Sequence, residues 1–475
     1  MSARAGSMRA AGFFLLAALL GLAAGPAAAQ APPTLSLDEV LESVRRHPTL
    51  VAADAVVRQA DGERMRSEGA FDPTVNGFVG GRPLGYYDQM VAGASVSLAT
   101  PLWGLGVEAG WRLGVGDFAP YEGKRETLSA GELFAGVSLP LLKGGPLDEG
   151  RADRQRARLG QDLAAAERTG VALDLVAEAE AAYWAWAAAS RALRIAGDQL
   201  ELATQRERGL QRRVEEGAVA PIDALEARRA VLVRRGKLEA ASAKERSAAS
   251  KLSLFVRDAE GRPRVAQPTQ APELPEPPPL RRLGPEEAAE QAWSQRPEGE
   301  VWRAAVEVAQ VAERLARAQA LPKLDLKVGA AVDLPQDGSG STSLAEPSLD
   351  ARLDLSFPTL LRAGRGKLAS ARAKATQVDA KAQLVREKLW AEVLALSARL
   401  DAAEAHLRLA DETTEVTEAL ASAEALRFEE GASDLLVVNL REQSLAGARQ
   451  QQAMLRAEVL ALRAGWRALV GPDPG

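Results

Sequence analysis

Few side chains in this chain are suited to chemistry. His47 and His406 are the only imidazoles among 475 residues, and cysteine is absent. A general acid or base works through a partner within hydrogen-bond reach. His47 instead precedes Pro48 at a helix break, and His406 lies on a polar helical stretch with no acid or ligand pattern beside it. Without thiols the chain has no thiolate metal site, no disulfide and no lipidated N-terminal cysteine. Gly144-Gly145 and Gly364-Arg-Gly366 lack the Lys-Ser/Thr that completes a phosphate loop, and read as strand-to-helix bends. A carbohydrate-processing enzyme would need paired carboxylates across a cleft, which rod-like helices do not offer. The sequence therefore reads as a non-enzyme with no cofactor and no metal.

The 59 basic and 64 acidic residues give a net charge of -5 and are interspersed, so there is no basic face for nucleic acid. Hydrophobic residues make up 47% of the chain and aromatics only 4%; alanine and leucine dominate, the composition of long helices packed through small side chains.

The elements that position the remaining features occur twice. Arg213-Val-Glu-Glu-Gly-Ala218 returns as Arg427-Phe-Glu-Glu-Gly-Ala432. His47-Pro48 followed by Asp72-Pro73 is matched by Arg296-Pro297 followed by Leu321-Pro322, with both proline pairs 25 positions apart. Val137-Ser-Leu-Pro-Leu-Leu-Lys-Gly144 is matched by Leu355-Ser-Phe-Pro-Thr-Leu-Leu-Arg362. So long a period implies a duplicated domain rather than a solenoid. We divide the chain into 1–29, 30–261 as a first repeat, 262–283 as a linker rich in proline, and 284–475 as a second repeat. Residues 1–29 carry Arg4 and Arg9, an apolar run from Phe13 to Ala24, and Ala27-Ala-Ala29, the pattern of a cleaved secretory signal.

Proline-free, alanine-rich stretches from about Asp148 to Val214 and Arg365 to Glu430 predict two rods of about 100 Å. Gly217 and Gly431 end them, and return helices begin near Pro221 and Asp434, running to about Phe255 and Val470. The fold class is mainly α with β: duplicated helical hairpins plus strands. Met90–Ala99, Leu105–Gly116, Ala130–Leu141, Lys323–Asp333 and Arg352–Phe357 alternate apolar with polar residues, as strands with one apolar face do. Trp103, Trp111, Phe118 and Tyr121 suit an interfacial aromatic girdle. A β-sandwich, or a soluble periplasmic coiled-coil scaffold with a small β domain, would use the same segments. So few strands cannot close a membrane-sized barrel within one chain.

The opening Leu35-Ser-Leu-Asp-Glu-Val-Leu41 with Arg46-His-Pro48, the junction Ser138-Leu-Pro-Leu-Leu-Lys-Gly-Gly145, Tyr183-Trp184, and the tip Glu216-Gly-Ala-Val-Ala-Pro-Ile-Asp-Ala-Leu-Glu-Ala-Arg228 resemble the TolC-like outer-membrane efflux protein family over essentially the whole mature chain. The resemblance implies a homotrimer whose protomers share one outer-membrane β-barrel set in lipid and one periplasmic α-barrel. It further implies an exit duct for a tripartite efflux pump or type I secretion system, docked by a periplasmic adaptor (membrane fusion) protein and an inner-membrane transporter of RND or ABC type. On this basis Gly217 and Gly431 form the tip turns, Asp223, Glu226 and Asp434 set tip charge, and Glu215, Glu216, Glu429 and Glu430 face the adaptor. Asp223 matches an aspartate of the family's first-repeat tip, whereas Val437 and Leu440 occupy the places of its acidic gate rings. Pro73 and Pro140 lie 67 positions apart but Pro322 and Pro358 only 36, an excess sufficient for one extra hairpin in the first half. The linker would wrap the helical barrel near mid-height.

Overall fold

A computed structural model describes residues 34–119, 126–280, 283–334 and 346–471. The signal-like segment, Tyr121 and the polar loop Gln336–Thr342 lie outside the described residues. The chain runs α1 (Leu37–Val44), α2 (Pro48–Glu68), β1 (Thr74–Arg82), β2 (Gln89–Ala99), β3 (Gly106–Gly116), β4 (Glu132–Pro140), α3 (Glu149–Glu215), α4 (Pro221–Leu252), α5 (Pro285–Gln295), α6 (Pro297–Gln319), β5 (Lys323–Asp333), β6 (Ser348–Ser356), α7 (Arg362–Glu429) and α8 (Leu435–Val470).

Local chemistry accounts for the helix starts. Ser36 and Glu39 form a reciprocal capping box on α1, satisfying two otherwise orphaned N–H groups. The His47 Nδ1 accepts from Thr49 N at the start of α2, and its ring stacks on Phe255, so this imidazole is a cap. Asp148 caps α3 and its carboxylate also holds Arg151 at 2.7 Å. Pro48, Pro221, Pro285 and Pro297 each occupy a first helical turn, where a missing N–H costs nothing.

The helices form staves in one layer. Near the sheet the neighbours are α2, α3, α6 and α7 in that order; toward the tips they are α4, α3, α8 and α7. The long helices α3 and α7, of 67 and 68 residues, therefore run through both levels. Alanine permits this close lateral packing: Ala179, Ala187, Ala188, Ala196 and Ala203 are all buried on α3.

At mid-height a belt of buried side chains packs against α3. Trp186 is fully buried, and Tyr183 donates from its hydroxyl to the Leu35 carbonyl at 2.8 Å. Leu35, Val40, Leu252, Phe255 and Val256 complete this core. On the other side Ala288, Ala292, Val393, Trp466 and Leu469 pack α5 against α7 and α8. Burial and nearby acids push the Tyr183 hydroxyl up to about 12, which keeps it a neutral donor.

The six strands among the described residues form one antiparallel sheet in sequence order. β1, with three glycines in nine residues, is the strand that sequence alternation alone does not reveal. The other five lie where the alternation places them, except that β6 begins at Ser348 and ends before Phe357. The excess residues of the first half join this same sheet: it supplies four strands, the second half two. The linker is ordered where described. Arg194 pairs with Glu273 at 2.8 Å, Leu280 packs against α7 and α8, and Arg463 donates to the Pro278 carbonyl. The linker thus crosses the helical layer at the level of the belt.

Candidate functional site

The two long helices end in the same turn. Gly217 and Gly431 take left-handed φ of 72° and 75°. At the first tip Ala218 N donates to Arg213 O and Gly217 N to Val214 O; at the second Ala432 N donates to Arg427 O and Gly431 N to Phe428 O. This paired 6→1 and 5→2 closure ends a helix only where the residue after the cap can be left-handed, which explains the repeated Glu-Glu-Gly-Ala. Asp434 accepts from Val437 N at 2.9 Å and caps α8. Asp223 lies half-buried in the first turn of α4. Glu226 pairs with Arg229 on its own helix, an exposed pair worth little.

Glu215, Glu216, Glu429 and Glu430 are exposed at the C-terminal ends of α3 and α7. Acidic groups there oppose the helix dipole by about 0.3–1 kcal/mol each, so they are placed against local stability. Ile222, Leu225, Leu436 and Leu440 are also exposed around the tips. Val437 is half-buried behind them and Val438 fully buried. The tip therefore presents an apolar surface rimmed with carboxylates.

Above the tips the structure adds an ion cluster that sequence reasoning missed. Glu442 of α8 takes Arg206 of α3 at 2.6 Å and Arg234 of α4 at 2.7 Å. Asn439 Oδ1 accepts from both arginines, and Arg234 also donates to Gln199 O. The Arg234 side chain is only 2% exposed. Burial opposes the Glu442 charge, but hydrogen bonds and attraction from Arg206 and Arg234 outweigh it and hold this carboxyl below the usual range. One carboxylate thus ties the α3–α4 hairpin to the α7–α8 hairpin. Arginine is abundant on every rod and these partners lie over 200 positions apart, so no sequence signal marks them.

At the other end of the molecule the sheet sets an apolar face against a mainly polar one. Ala94, Trp111, Leu133 and Val332 are successive cross-strand partners, as are Val96, Ala109, Ala135, Ala330 and Leu349. Val75 and Val79 of β1 extend this apolar face. The opposite face carries Asn76, Ser95, Glu108, Arg112, Glu132, Lys327, Asp350 and Asp354, with Arg112 and Glu132 paired at 2.7 Å. Phe78 and Phe134 on this face reach over Gly93 and Gly110, where any β-carbon would meet their rings within 3 Å.

The candidate girdle residues fall at different heights. Trp103 sits in the β2–β3 turn beside Gly145 and the start of α3, Trp111 lies mid-strand and bonds to the Ala130 carbonyl, and Phe118 follows the far end of β3. Trp103 and Phe118 thus mark opposite rims of the sheet.

No protein-family model matches the sequence, and no curated protein matches it. Solved structures do. The outer membrane protein VceC of Vibrio cholerae has 17% identity and a TM-score of 0.62, covering 92% of this chain and 96% of its own. The MtrE outer membrane channel of Neisseria gonorrhoeae, in its open state, has 16% identity and a TM-score of 0.63, covering 92% and 89%. The CmeC outer membrane channel of Campylobacter jejuni has 12% identity and a TM-score of 0.62, covering 92% and 85%. With helical staves, a one-faced sheet and matched tips all in place over nearly its whole length, the chain has the fold of the TolC-like outer-membrane efflux channels.

Proposed function

We propose that this protein is a homotrimeric outer-membrane channel, a passive exit duct that extends into the periplasm and works with a periplasmic adaptor and an inner-membrane transporter of RND or ABC type. The observation that carries this reading is the continuous apolar sheet face, with open edges, mounted on helical rods about 100 Å long. Strands of nine and eleven residues suit a bilayer crossing. Unpaired edges are not tolerated in lipid, so copies must complete one another. The native mass of the protein in detergent is expected to be that of a trimer; a stable folded monomer would sink the reading.

The lipid face gives a graded test. Val328 lies at the middle of β5, whereas Val115 is one residue from the far end of β3. Val328→Arg is expected to cost about 2–4 kcal/mol and Val115→Arg about 0–1 kcal/mol, since the penalty of a charge falls toward the membrane interface. Refolding titrations into bilayers read both values, and equal costs at the two sites would contradict this placement.

The tips form the gate. Asp223 recurs three times around a narrow opening and there repels anions, while Val437 and Leu440 supply an apolar constriction in place of acidic rings. Glu215, Glu216, Glu429 and Glu430 meet basic groups of the adaptor, which offset the unfavourable position of these acids at helix ends. In bilayer recordings, Asp223→Ala is expected to raise single-channel conductance and Val437→Asp to confer block by multivalent cations. If neither property changes in its variant, the gate lies elsewhere.

A further inference from the structure

The sheet of one chain ends in two open edges. Among the described residues β1 pairs only with β2, and β6 only with β5. We propose that β1 of one copy pairs antiparallel with β6 of the next copy, so that all six strands of every chain enter one shared barrel. This rests on the trimeric membrane reading above.

The duplication identifies which strands were added and how the copies join. Pro73 precedes β1 as Pro322 precedes β5, and Pro140 ends β4 where Pro358 follows β6. β1 therefore corresponds to β5 and β4 to β6, leaving β2 and β3 as the insertion. The inserted strands keep the same apolar and polar faces as the rest, in continuous register from β1 to β6. A hairpin folded away into water would not need that continuity. A one-residue slip anywhere would turn a strand inside out, so the shared face places β1, β2 and β3 in the same wall as β4, β5 and β6.

Within one chain, β4 meets β5: the closing strand of the first half pairs with the opening strand of the second. Between copies, β6 meets β1 in the same relation. The internal register sets Val137 opposite Val328 and Ala135 opposite Ala330. Carried across by the proline landmarks, it sets Leu355 opposite Val79 and Leu353 opposite Gly81 of the neighbouring copy. Apolar positions then meet apolar positions, and Asp354 faces Gly80 on the polar side. With six strands per chain, three copies close 18 strands, within the range whose barrels hold an open aqueous lumen. The duct would then be narrowest at its helical tips and not in the membrane.

The native chain has no cysteine, so disulfide trapping has no background. Directly opposed β-carbons lie within bonding reach, whereas positions further along the strand do not. The full-length double variant Val79→Cys/Leu355→Cys, oxidised in the membrane, is expected to lose its monomer band to species of two and three times the chain's mass. Val79→Cys/Ala351→Cys is expected to link poorly. Val107→Cys/Leu355→Cys tests the alternative in which β3 is the barrel edge and β1 and β2 stand outside it. Efficient linking in that pair overturns the proposal, as does a Val79–Leu355 disulfide formed within a single chain. A trimeric native mass with no link from Val79 to Leu353 or Leu355 also overturns it while leaving the trimer standing. A monomeric native mass removes the trimer reading itself.

Discussion

Replacing Glu442 with alanine is expected to cost about 3–5 kcal/mol, because removing one partner of a buried ion group leaves the other charge uncompensated. Two guanidiniums converge on that carboxylate, so its loss leaves them repelling each other where Arg234 has almost no access to water. The cluster lies eleven residues from Gly217 and eleven from Gly431, roughly 16 Å above the tips. Its loss should therefore loosen the two hairpins relative to each other as well as destabilise the chain. Chemical denaturation and single-channel recording check the two parts: lower stability and a larger open fraction are expected. The triple variant Arg206→Leu/Arg234→Met/Glu442→Leu should recover most of the stability, since apolar replacement of a whole buried ion group is often neutral or better. If Glu442→Ala melts and conducts like the native protein, the cluster holds nothing. The pH dependence has a definite sign. The folded pKa of Glu442 is depressed, so its contribution is present above the ordinary carboxylate pKa and is lost as pH falls through the folded value. Acid should loosen the native tips in the same direction as the alanine variant.

Trp186→Ala is expected to cost a similar 3–5 kcal/mol, the usual range for truncating a fully buried aromatic. The ring is wholly buried against Tyr183 in the belt around α3, and its Nε1 donates to Glu245 Oε1 at 3.0 Å. Truncation would open a cavity and strand a buried carboxylate. Glu245 already has its pKa raised, chiefly by burial, with the Trp186 hydrogen bond acting in the opposite direction. A raised carboxyl pKa means that the native state holds the proton more tightly than the unfolded chain. Its contribution is therefore full in acid and declines as pH rises from the ordinary value through the folded one. Without the indole donor that decline should deepen, so the variant should lose more stability at neutral pH than in acid, whereas Trp186→Phe should recover packing but not the pH effect. Thermal melts at two pH values decide this, and a uniform loss in Trp186→Ala would mean that the hydrogen bond is incidental.

The sequence made the hairpins legible because their causes are local. Proline-free alanine runs, a glycine that can turn left-handed and an Asp or Pro at the return all act within a few residues. β1 escaped because Gly77, Gly80 and Gly81 erase its alternation, and only pairing with β2 makes it a strand. The extra hairpin was countable from the spacing of prolines, but its membership of the sheet depended on contacts with β1 and β4. At the tips Gly217, Gly431 and Asp434 take the positions that their residue types demand. Glu442, Arg206 and Arg234 form a site only in three dimensions, and nothing in their residue types distinguishes them from the many other charges on the rods.

The unbroken length of α3 carries a mechanical consequence. The belt at Trp186 grips this helix 31 residues from Gly217, an arm of about 46 Å. Because that arm is one continuous α-helix without proline, it can act as a lever with its pivot at the belt. A tilt of only about 5° there displaces the tip by roughly 4 Å over such an arm, comparable to the width of a side chain. In the proposed trimer three such levers tilting together would change an opening several times faster than they disturb the packing at the pivot, so a duct of this build could be worked from its end without melting any part of its wall.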